Sequence, residues 1–66
     1  MAIAKVIEIS AESTDSFEDA IRDGIKRAGE TVHNIKGAWV NQQQVVVEDN
    51  QVVNFRVDLK VTFVVD

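Results

Sequence analysis

Cysteine and proline are both absent from the 66 residues, and histidine and tryptophan occur once each. Without cysteine no disulfide can staple the fold, and His33 alone cannot complete the four-ligand set of a structural zinc site. A chain this short buries only roughly 60% of the surface it exposes when unfolded. Small folds usually offset that deficit with disulfides, a metal or oligomerisation. With the first two removed, the expectation is a subunit of an oligomer, one domain over residues 1–66. Basic residues are also scarce, 7 against 11 acidic ones for a net charge of −4, which argues against non-specific nucleic-acid binding. No apolar run approaches the roughly 20 residues of a membrane span. Met1–Ser10 lacks the basic, apolar and small-residue segments of a secretory signal. Freedom from cysteine agrees with a reducing compartment, so a cytoplasmic protein is expected. There is no glycine-rich phosphate loop, nucleophile motif or metal-ligand cluster. No enzyme is therefore expected, and a metal site is neither indicated nor located.

What remains is a strong pattern. Lys5–Ser10 alternates as a short strand, with Ile7 and Ile9 on one side. A polar stretch, Ala11–Ser16, follows and offers helix N-caps at Asp15 and Ser16, spaced correctly from Glu18 and Asp19. Phe17, Ala20, Ile21, Gly24, Ile25, Ala28, Val32 and Ile35 then recur at the steps of one helix face. Glu18–Arg22 and Asp23–Arg27 form i,i+4 pairs on the solvated side. Gly24 lies on the apolar stripe, where a missing side chain either permits close approach to a sheet or is simply tolerated. His33 falls beyond the charged turns as a surface histidine, and Glu8 has no acid–base partner at a recognisable spacing.

The second half is strand. Gln51–Val65 alternates without interruption, with Val53, Phe55, Val57, Leu59, Val61, Phe63 and Val65 on one side. A strand of that length spans about 50 Å and must curl around the helix or reach a neighbour. Ala38–Glu48 is its partner through Asp49-Asn50, two residues that tolerate the positive φ of a type I′ turn. The fold class is α+β: β-α-β-β, a three-stranded antiparallel sheet wrapped around one helix. A simple hairpin about that turn puts Ala38, Val40 and Val46 on the helix side. It pairs Trp39 with Lys60, Asn41 with Asp58, Gln43 with Arg56 and Val45 with Asn54 on the other. The only tryptophan then stands on the face turned from the helix, among amides and cations. Such a ring suits either a planar heteroaromatic ligand or a subunit contact, or both if the ligand lies between subunits.

The order strand, helix, long hairpin resembles the dodecin family. So do Lys5-Val6-Ile7-Glu8-Ile9, Ser16-Phe17-Glu18-Asp19-Ala20-Ile21, Arg27-Ala28-Gly29-Glu30-Thr31-Val32-His33-Asn34-Ile35 and Val57-Asp58-Leu59-Lys60-Val61-Thr62-Phe63. The resemblance covers nearly the whole chain. It implies a hollow homododecamer that binds riboflavin, FMN or a related flavin, typically in pairs stacked between symmetry-related tryptophans, for storage and photoprotection rather than turnover. Some members bind coenzyme A or metal ions. Two departures stand out. Aligned without gaps, the family's stacking tryptophan falls on Gly37, with Trp39 two residues later on the same face, a shift of about 6.6 Å. The family's contacting glutamine falls on Arg56, which donates hydrogen bonds but cannot accept them. The residues implied for a flavin are Trp39, Arg56, Gly37, Gln43 and Lys60. The alternative is a shell of the same fold that binds no flavin, or holds another anionic ligand such as coenzyme A through Arg56 and Lys60.

Overall fold

In a computed structural model that describes residues 3–65, the chain runs β1 (Ile3–Ser13), α1 (Phe17–Ala28), β2 (Ile35–Glu48) and β3 (Gln51–Val65). Met1, Ala2 and Asp66 of the expected domain lie outside the described residues. The strands form one antiparallel sheet in the order β1-β3-β2. This is the expected β-α-β-β architecture. The most regular alternator, β3, takes the centre, where both its edges are paired. Its inward side chains Val57, Leu59 and Val61 are fully buried together with Ala20 of α1. Ile7, Ile9, Ala11, Phe17, Ile21, Ile25 and Ile35 complete this core, and Phe17 meets Phe55 edge-on with ring centres 5.2 Å apart.

The helix begins where its cap requires, the Ser16 hydroxyl accepting a hydrogen bond from the Asp19 amide at 2.9 Å. It stops at Ala28, so Val32 and Ile35 do not extend the helical stripe as their spacing suggests. Gly29 and the β-branched Thr31 and Val32 favour exit from the helix, and Asn34 turns the chain with φ of 63°. Ile35 then opens β2 three residues before the expected start. β1 outruns its expected end at Ser10, because Ala11, Glu12 and Ser13 pair with Val57, Arg56 and Phe55. Ser13 closes the corner, its hydroxyl donating to the Asp19 carboxylate at 2.7 Å and accepting from the Asp15 amide at 2.9 Å.

Close approach is the reason for Gly24. A β-carbon there would lie 2.9 Å from the Ala11 Cβ, so α1 sits on β1 at a distance only glycine permits. The helix packs on β1 and β3, and the hairpin of β2 and β3 projects beyond it. The molecule measures 52 × 19 × 14 Å, in keeping with the length of the long strand.

The hairpin departs from the simple register. Asp49 and Asn50 form the turn, with φ of 51° and 62°, and Trp39 opposes Lys60 as expected. Shifts between Ile35 and Gly37, between Val40 and Gln42, and between Val46 and Val47 interrupt the ladder. Between the last two of these the pairing is displaced by one residue. Val45 opposes Phe55 and Val46 opposes Asn54. Val46 therefore lies on the face away from the helix, correcting its expected place in the core. Ala38 and Val40 keep their expected side but are exposed in the single subunit, because α1 packs on β1 and β3 and leaves β2 to one side.

Candidate functional site

On the sheet face opposite α1, β1, β3 and β2 bring side chains together in transverse rows. Glu12, Arg56 and Gln44 make one row; Ser10, Asp58 and Gln42 the next; Glu8, Lys60 and Trp39 the third; Val6, Thr62 and Gly37 the fourth. Most of the charge in these rows is already partnered. The Arg56 Nε donates to Glu12 Oε1, and the same carboxylate accepts from the Asn54 amide at 2.9 Å. Ser10 donates to Asp58 at 2.6 Å, and Lys60 Nζ stands 4.0 Å from Glu8. Exposed pairs of this kind contribute little stability. Their effect here is to hold Arg56 within the subunit, so it is no free cation.

Trp39 is the exception. Its side chain is not enclosed, the residue being 62% exposed, and with Val40, Asn41 and Lys60 it lines a shallow depression of about 250 Å³. That is below the roughly 300–1,000 Å³ of a complete small-molecule pocket, so one subunit offers an open stacking surface rather than an enclosure. Gly37 flanks it two residues earlier on the same face, and a β-carbon there would meet no atom within 4 Å. The space at Gly37 is open.

Gln43 is corrected by the register. It opposes the fully buried Val57, which places it on the helix side, not opposite Arg56. Gln44 takes that place, and Gln42 opposes Asp58 where Asn41 was expected. Among the described residues no three His, Cys, Asp or Glu side chains converge as a metal site, and no helix is long and apolar enough to cross a membrane.

The dodecin family model matches residues 3–66. The chain is 33% identical to the calcium dodecin of Mycobacterium tuberculosis over 63 residues, covering 96% of this chain and 89% of that protein. This chain belongs to the dodecin family. Its fold superposes on the dodecin of Streptomyces davaonensis with a TM-score of 0.93 at 32% identity, covering 98% of this chain and 96% of the other. The solved calcium dodecin of M. tuberculosis gives a TM-score of 0.82 at 33% identity, over 92% and 87% of the two chains. The simple register leaves Gln42 and Gln44 off the outer face, where the structure places both. No local signal marks the change, because Gln42-Gln43-Gln44 is uniformly polar and Val45-Val46-Val47 uniformly apolar.

Proposed function

We infer that this dodecin is a non-catalytic binding protein for a flavin (riboflavin, FMN or a related form), assembled as a hollow homododecamer with the ligand between subunits. The observation that carries the reading is Trp39, a lone, mostly exposed ring on the outer sheet face. Burying such a ring against a planar heterocycle recovers apolar and stacking energy that solvent does not supply. The small, open depression supports a site shared between copies. When bound, the flavin would be held chiefly by this chain's Trp39, beside Lys60 and with the neighbouring amides at its edge. Gly37 would supply room, and Arg56 would shape the far row from its pairing with Glu12. A cytoplasmic setting goes with the cysteine-free composition.

The residues fit an anionic ligand such as coenzyme A less well, since both Arg56 and Lys60 face carboxylates of their own subunit. Calcium takes six to eight oxygen ligands, and with no three His, Cys, Asp or Glu side chains converging among the described residues, such a site would need donors from other copies.

The test is titration of riboflavin fluorescence with wild-type protein and with Trp39→Ala. Stacking on an aromatic ring is worth about 1–3 kcal/mol in nucleic-acid systems. The variant should therefore bind about 5- to 150-fold more weakly, with its circular dichroism unchanged. Equal affinity in an intact oligomer would remove Trp39 from the site. Wild type that quenches no flavin fluorescence would overturn the flavin reading.

A further inference from the structure

We propose that Gln42 and Gln44 are the specificity-determining residues of this site, reading the hydrogen-bonding edge of an uncharged planar heterocycle. The inference rests on the flavin reading above and goes beyond it by naming the polar contacts and the ligand class they select. Its first support is the register. The shift between Val40 and Gln42 turns both side chains onto the face of Trp39, in the two rows that follow it. Alternate residues on a strand advance by about 6.6 Å, so the amides continue in the direction a long planar ligand would extend from the indole.

The second support is chemical. An amide carries two donors and an acceptor, whereas arginine and lysine only donate and a carboxylate only accepts. In the two rows beyond Trp39, with the Ser10 hydroxyl given to Asp58, the glutamines are the unpaired side chains that can answer an imide-type edge, where donors and acceptors alternate. The third is availability. Arg56 is engaged by Glu12, Asp58 by Ser10 and Lys60 faces Glu8. Among the described residues the Gln42 and Gln44 side chains have no such partner, and both are exposed. Groups already paired must break a contact to bind; free amides need only exchange water.

The register also supplies an internal control. Gln43 sits between the two on the opposite face, opposing buried Val57. Methionine keeps glutamine's length while removing its donors and acceptor. Gln42→Met, Gln44→Met and Gln43→Met are each titrated against riboflavin by fluorescence quenching, with light scattering to verify an unchanged assembly. Gln42→Met and Gln44→Met should weaken binding by about 2- to 13-fold each, the range of a single neutral hydrogen bond. Gln43→Met should match wild type. If neither outer variant loses affinity while Trp39→Ala does, the flavin reading stands and the amide assignment is overturned. Equal loss in Gln43→Met overturns it too, because a residue on the helix side cannot touch the same ligand. A wild-type protein that does not bind riboflavin overturns both.

Discussion

Gly24 is a residue whose role lies in what it lacks. Alanine at a helix interior is ordinarily about 1 kcal/mol better than glycine, but here its methyl would press against the Ala11 Cβ, which has no rotamer through which to retreat. Overpacking of this kind costs about 1–3 kcal/mol. Gly24→Ala should therefore leave the protein up to about 2 kcal/mol less stable in chemical denaturation, and adding Ala11→Gly should recover most of the loss. An additive double variant would show that α1 and β1 are not in contact there. The sequence placed Gly24 on the apolar stripe but left its reason open, because Ala11 is thirteen residues away and only the folded corner at Ser13 brings the two together.

Among the elements, the hairpin bears most on the site, and its turn anchors the register. Both turn residues have positive φ, which costs most residues about 1–2 kcal/mol but Asn and Asp less. Asn50→Gly should retain or slightly raise stability, while Asn50→Val should lower it by about 1–2 kcal/mol, read from denaturation midpoints. Indifference to valine would mean that Asn50 is outside the left-handed region. The turn alone does not decide which side chains face the ligand. Trp39 faces outward in the simple register and in the observed one, because the residue skipped between Val40 and Gln42 is compensated by the shift nearer the turn. Only the residues between the two shifts change faces, the three glutamines with Val45 and Val46.

The whole molecule is unfinished as a single chain. Its radius of gyration is 13.5 Å, against about 11 Å for a compact chain of this length. It exposes 4934 Å², where a folded monomer of this mass exposes about 4,200 Å². The excess is apolar at the arm: Val40, Val45, Val47, Val52 and Val53 are exposed, Val47 and Val52 by 53% and 51%. Both outer strands also leave unpaired edges. Light scattering should give about twelve times the 7.3 kDa of one chain, and Val52→Asp should shift that mass downward while the subunit keeps its far-ultraviolet dichroism. A wild-type mass near one subunit would contradict assembly; an unchanged mass in Val52→Asp would show that neighbours do not cover the arm at that position.

The sequence by itself determined the order of the elements, a helix cap at Asp15 or Ser16, the turn at Asp49-Asn50 and the outward face of Trp39. Each depends on local rules: the periods of helix and strand, hydrogen bonds three residues apart, and positive φ at two adjacent positions. The end of the helix was misplaced because Val32 and Ile35 continue its period, although the chain leaves the helix to pair Ile35 with Phe63. Only tertiary structure decided the face of each glutamine. Alternation along β2 specifies two faces but not where the phase changes, and three consecutive amides carry no hydrophobic contrast to mark it. Pairing along β3 settles the matter: Val57 and Leu59 point into the core, and the ladder passes over Asn41, so Gln43 opposes Val57 while Gln42 and Gln44 face outward.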